Sequence, residues 1–179
     1  ISACLVGSEM CIRDSSKSAV LSSLAIEIKL AAHQPREAVH EAELARNQFP
    51  ISRGIAHQYA DALYAAGRYE DAAAYLRDQT QLYRQEPALY ERLAKVYAAL
   101  KMQAQQHLAL AESYALNGSL SAALDQLSIA RKAPDASFYD QSIIDARERE
   151  IKAQRLEEIR QEKELSLIHI SEPTRQAEI

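Results

Sequence analysis

The side chains that can carry catalysis are few and scattered. Histidine stands at positions 33, 40, 57, 107 and 169. A zinc metallopeptidase places two imidazoles one helical turn apart as H-E-x-x-H, with the glutamate as base. The nearest approach is His40-Glu41-Ala42-Glu43, and Leu44 occupies the place of the second histidine. His33 is expected in a turn and His57 on a groove or surface. Four scattered glycines cannot form a phosphate-cradling loop, and no serine lies in a G-x-S-x-G elbow. Cys4 and Cys11, both near the N-terminus, support neither a disulfide framework nor a four-ligand metal site. Acid pairs such as Glu70-Asp71 suit the first turn of a helix, where the backbone dipole favours negative charge. No catalytic, cofactor-binding or metal residue is expected here, and the chain is expected not to be an enzyme.

Composition narrows the classes further. A chain of 179 residues suits one domain of ordinary size. The net charge of −4 gives no electrostatic argument for nucleic acid. No apolar run approaches the roughly 20 residues of a membrane-spanning helix, and no intact signal peptide is visible. Four Gly and five Pro, with abundant Ala, Leu, Glu, Gln and Arg, favour helix over sheet.

The elements are clearest in His107–Pro134. Two amphipathic helices flank Asn117-Gly118-Ser119, with Ala111 and Ala123 where they would touch. Leu110, Tyr114, Leu120, Leu127 and Ala130 supply the apolar stripe. Gly118 is expected to stop the first helix and Ser119 to cap the second. The breaks elsewhere fall on a 17-residue grid: His33, Pro50, Gly67, Arg84, Lys101, Gly118 and Asp135. Seven helices are predicted, near 18–32, 36–48, 53–66, 69–84, 87–100, 103–117 and 120–132. A 17-residue step makes a 34-residue helix-turn-helix unit, the period of the tetratricopeptide repeat. Ala38 and Ala72 are 34 apart, as are Ala60 and Ala94, and Leu63 and Tyr97. With Pro50 closing a unit, these positions resemble the tetratricopeptide pattern. Its signature aromatic is replaced by Ser22, Ala56, Tyr90 and His107, and Gln106 stands where a second-helix alanine is expected. The fold class implied is all-α, an antiparallel helix-hairpin solenoid, in which stacked neighbours build one continuous core. Tyr59, Tyr90, Tyr97 and Tyr114 are expected to pack between helices.

Four segments follow: a tail over 1–15, the repeat array over 16–134, a charged helix over 135–164 and a tail over 165–179. The charged run mixes supportive and repulsive pairs, among them Glu148–Lys152 and Glu158–Glu162. After Phe138, Tyr139, Ile143 and Ile144 it has only Ile151, Leu156 and Ile159 as large apolar residues. A capping helix is expected, docked over its first third and solvated beyond; a coiled-coil partner strip is the alternative. The tails are expected not to continue the helical pattern. CLVGSEMCIRDS and LSLIHISEPT resemble translated sequencing-adaptor read-through, which implies a fragment and sets both cysteines, His169 and Pro173 aside.

A narrower resemblance covers about 53–150. YADALYAAGRYEDAAAYLRDQ, LYERLAKVYAALKMQAQQHLALAESYALNGSLSAALDQLSIAR and FYDQSIIDAREREI are similar to the C-terminal repeat domain of periplasmic zinc metallopeptidases of the beta-barrel assembly-enhancing type. The arginine-rich Ser142–Arg149 matches the helix that ends that domain. The resemblance implies a periplasmic, substrate-presenting domain in outer-membrane protein quality control, with unfolded outer-membrane proteins or the barrel-assembly machinery as partners. Zinc is implied only in an upstream domain. Mapped by position onto the groove that first helices line, the candidates are Glu27, Leu30, His57, Asp61, Tyr64, Glu91, Lys95, Leu108 and Glu112. This mixed, acid-leaning set lacks the asparagine and lysine clamp for C-terminal carboxylates, which argues against a cytosolic cochaperone. The alternative reading is a free-standing scaffold of an envelope assembly or secretion system.

Overall fold

The computed structural model describes residues 18–171, with side chains to residue 165. The 1–15 tail with Cys4 and Cys11, the His169 side chain and Pro173 lie outside the described residues. The described residues form eight helices: α1 Ala19–Ala31, α2 Pro35–Gln48, α3 Arg53–Ala65, α4 Tyr69–Leu82, α5 Pro87–Ala99, α6 Gln103–Leu116, α7 Leu120–Arg131 and α8 Phe138–Ser171. The first seven end within two residues of the predicted bounds. Prolines 35 and 87 open α2 and α5, at the first helical position where a missing N–H costs nothing.

The turns carry the period. His33, Gly67 and Lys101, each one repeat from the next, have φ of 57°, 75° and 60°, and Gly118 has 76°. After α1, the amides of His33 and Gln34 donate to the carbonyls of Leu30 and Lys29 (3.1 and 2.9 Å). Gly67 and Arg68 repeat this on Tyr64 and Leu63, and Gly118 and Ser119 on Ala115 and Tyr114. Each is a Schellman ending, closed by one left-handed residue. No neighbouring atom lies within 4 Å of a Cβ placed on Gly67 or Gly118, so a side chain there meets backbone strain only. Gly118→Ala is therefore expected to cost about 1 kcal/mol, and His33→Gly to stabilise by roughly 0.5–1 kcal/mol, read as shifts in urea midpoint. Ser119 departs from expectation: its side chain makes no capping bond on α7.

The helices form two compact units. One comprises the described residues up to Arg84 with Lys95–Leu100; the other comprises Gln85–Ala94 and the described residues from Lys101. In the first unit α2 packs on α1, α3 on both, and α4 on α3. Ala38, Ala60 and Ala72 are at most 1% exposed, which lets the backbones approach closely, and Leu63 fills the space beside them. Tyr59 on α3 ties three helices. Its ring meets Tyr75 edge-on at 4.9 Å, the Arg46 guanidinium lies 4.4 Å from its centroid, and its hydroxyl donates to Glu43 (3.4 Å). Burial pushes the hydroxyls of Tyr59 and Tyr75 above the usual tyrosine pKa, which keeps both neutral as packing groups.

In the second unit α6 and α7 form the hairpin and α8 lies against both. The core joins Ala111, Leu120, Ala123, Leu127 and Ala130 to Ile144 and Ile151 of α8. Tyr114 is 37% exposed, outside the expected stripe. From α6 the residues in this core are instead Leu108, Ala111 and Ala115, and the two alanines are small enough for close helix contact. Docking of α8 also differs from expectation. Phe138 and Tyr139 are 89% and 73% exposed, whereas Ile144 and Ile151 are fully buried. The docked face is Asp140, Ile144, Arg147 and Ile151, one stripe at helical spacing. The helix runs on to Ser171, so residues 165–171 do continue the helical pattern.

Polar groups secure both ends of this unit. The Ser137 amide donates to the Asp140 carboxylate (2.9 Å) and the Asp140 amide to the Ser137 hydroxyl (3.2 Å), a capping box that starts α8. The Ala104 amide donates to both carboxylate oxygens of Asp135 (3.1 and 3.3 Å), so a turn residue caps α6 from 31 positions away. Asp135→Ala is expected to cost about 1 kcal/mol by chemical denaturation, and Asp135→Asn only a fraction of that, since an acceptor remains. Arg131 on α7 pairs with Asp145 and Glu148 of α8. The hydrogen bond from Lys152, reinforced by Arg131, holds Glu148 below the usual glutamate pKa. A depressed carboxylate adds stability above its unfolded pKa and loses it as pH falls through the folded value. Glu148→Gln is thus expected to flatten the acid limb of the stability profile and leave the alkaline limb unchanged.

Candidate functional site

The candidate groove residues divide between the two units. In the first, Glu27 and Lys95 are exposed, while Leu30, His57, Asp61 and Tyr64 are half-buried. Glu27, Asp61 and Lys95 occupy one repeat position on the successive first helices α1, α3 and α5. Leu30 and Tyr64 share the position one turn further along. The structure brings two of these together: the Lys95 ammonium lies 4.4 Å from the Tyr64 ring centroid. Tyr69, at the start of α4, stands 5.3 Å from the same ring. The result is an aromatic-cationic cluster of Tyr64, Tyr69 and Lys95 in the first unit. An ammonium over one ring with a second ring beside it can stack on apolar side chains and attract carboxylates. The described residues contain no group of three or more His, Cys, Asp or Glu placed to hold a metal ion. None of their helices is long and apolar enough to cross a membrane.

The remaining candidates belong to the second unit, and their partners are internal to it. Glu91 is exposed on α5 and accepts from the buried Ser113 hydroxyl on α6 (3.0 Å). Leu108 is half-buried against the α6–α8 core. Glu112 accepts twice from Arg147 of α8, at 2.6 Å from both Nε and Nη2. Burial alone would lower the Arg147 pKa, but Glu112 and then Glu150 outweigh it, and it is raised. Glu112 is therefore a clasp for α8, leaving little of it for a ligand. Beside it, His107 Nδ1 lies 2.8 Å from Gln126 Oε1, linking α6 to α7.

Arg147, Ser113, Tyr69 and Gln126 were absent from the sequence-derived set. Arg147 had one available signal, its place in the 140-144-147-151 stripe. The others become neighbours only through helix pairing. Left-handed turns at 33, 67 and 101, small residues at the crossings, and first-helix surface positions thus share one repeat period. The architecture is tetratricopeptide-like. That conclusion rests on this chain's own hairpins.

No protein-family model and no curated protein matches the chain. Among solved structures, TTC0263, a thermophilic TPR protein of Thermus thermophilus, is 18% identical, with 77% of this chain and 85% of that one covered and a TM-score of 0.44. MamA 41-end from Desulfovibrio magneticus RS-1 is 14% identical, with 82% and 96% covered and a TM-score of 0.42. A MamA RS-1 ArsTM double mutant is 17% identical, with 86% and 97% covered and a TM-score of 0.42.

Proposed function

We infer that this tetratricopeptide-like chain is a protein-binding domain, and that it presents substrates to a periplasmic zinc metallopeptidase acting in outer-membrane protein quality control. The observation that supports binding is the Tyr64–Lys95 pair, with the exposed Lys95 ammonium 4.4 Å from the ring centroid. The metallopeptidase assignment draws on the similarity of residues 53–150 to that family's repeat domain. The chain's own residues do not fit zinc, because Leu44 stands at the second ligand position and no acid-histidine cluster forms among the described residues. On this reading the metal chemistry belongs to a protease domain elsewhere on the parent polypeptide. Unfolded outer-membrane proteins or the barrel-assembly machinery are the partners it implies.

The test is site-specific photo-crosslinking of the purified chain to a urea-unfolded outer-membrane barrel protein. A crosslinker at position 95 is expected to capture it, and one at Arg77, on the outward side of α4, is not. Tyr64→Ala should weaken capture at position 95 several-fold, about what the loss of one stacking platform predicts. Equal capture at both positions, or none, would defeat the assignment.

A further inference from the structure

The repeat period makes α3 a copy of α1 in position. On α3 the face formed by Ile55, Gln58, Tyr59 and Ala62 is turned to the first hairpin. Gln58 accepts from the Ser23 hydroxyl on α1 (2.7 Å), and Tyr59 donates to Glu43 on α2 (3.4 Å). Ile55 and Ala62 are fully buried, on a helix that packs against both α1 and α2. The aliphatic positions recur on α5 as Leu89 and Val96, 1% and 2% exposed.

On α1 the same positions hold Leu21, Leu24, Ala25 and Ile28. Leu21, Leu24 and Ile28 are 44%, 48% and 59% exposed, and Val20 beside them is 75% exposed. This face is more apolar than its buried counterpart, since Leu24 stands where α3 has Gln58. A contiguous apolar stripe on a helix surface marks an interface.

We propose that the Leu21–Leu24–Ile28 face of α1 docks a two-helix hairpin of the chain's own repeat type. Its second helix would carry small residues at the crossing, as α2 does with Ala38, Ala42 and Ala45. The α2–α3 contact is the template, because it already joins such a hairpin to the equivalent face one repeat on. A second copy cannot supply the partner from its last hairpin, which α8 covers with Ile144 and Ile151. Pairing two α1 faces would set Leu21, Leu24 and Ile28 against their own copies, without the small residues that α2 offers at its crossing with α3. The occupant is a hairpin from outside residues 18–171.

The experiment places a second copy of residues 18–51 directly before Ser18 of the full chain. Each added hairpin in a linear array gains stability from the neighbour interface it forms. The thermal midpoint is expected to rise by about 5 °C. Leu24→Glu in the original α1 should abolish that gain, while the same substitution in the parent chain, where about half of the side chain is already in water, moves its midpoint by no more than ~2 °C. An unchanged midpoint in the extended chain, or a gain that survives Leu24→Glu, would overturn the proposal. So would a concentration-dependent dimer of the parent, seen in sedimentation and dissolved by Leu24→Glu, since that assigns the face to a second copy.

Discussion

Ile151→Ala is expected to lower the unfolding free energy by about 3 kcal/mol, the usual cost of emptying a buried isoleucine site. Ile151 is fully buried although both of its chain neighbours are exposed, and it joins α8 to the α6–α7 core. The matched control is Leu156→Ala on the same helix, where the side chain is 67% exposed and the expected cost is below ~0.5 kcal/mol. Urea denaturation of both variants distinguishes a docked from a solvated second third of α8. A cost at position 151 as small as that of the control would mean that docking stops at Ile144.

Arg147→Ala is expected to cost about 2 kcal/mol, for a different reason: the loss falls on a charge left behind. Arg147 and Glu112 are 25% and 21% exposed, and the guanidinium spans both carboxylate oxygens. Deleting the cation strands a half-buried carboxylate, which costs more than the pair itself contributes. In a double-mutant cycle with Glu112→Ala the coupling should exceed ~1 kcal/mol. Arg149→Ala provides the contrast: that exposed side chain reaches only the Asp145 carbonyl of its own helix (3.2 Å), and its loss should be nearly silent. Additive effects of Arg147→Ala and Glu112→Ala would show that the clasp does not form in solution. They would also return Glu112 to the set of residues available for a partner.

These two results bear on which parts of the molecule a linear reading can reach. Helix bounds were legible because each break carries a local signature: a proline at a first position, a glycine at a left-handed C-terminus, an alanine one repeat from its copy. Even His33 and Lys101, which no turn propensity singles out, were found, because the period placed them at the residue that closes a helix. Local chemistry recurring at a fixed step is information that the chain carries in one dimension.

The fate of the charged segment was different. Its docked stripe alternates Asp140, Ile144, Arg147 and Ile151, so half of the face is polar and hydrophobic counting passes over it. Asp140 is satisfied by Ser137 in its own helix cap, whereas Arg147 is satisfied by Glu112, which is far from it along the chain. The same limit applies to the candidate binding face. Position within the repeat placed Tyr64 and Lys95 on the surface, but only the fold of the first unit set the cation over the ring. For Glu112 that positional rule gave a groove residue, and the approach of α8 made it a clasp. The sequence by itself thus determined the helices, their step and the small residues at their crossings, all of which follow from short-range backbone and packing preferences. Tertiary structure alone decided which charges are satisfied and which remain for a partner. Satisfaction of a charge depends on a second group whose distance in space has no fixed relation to its distance along the chain.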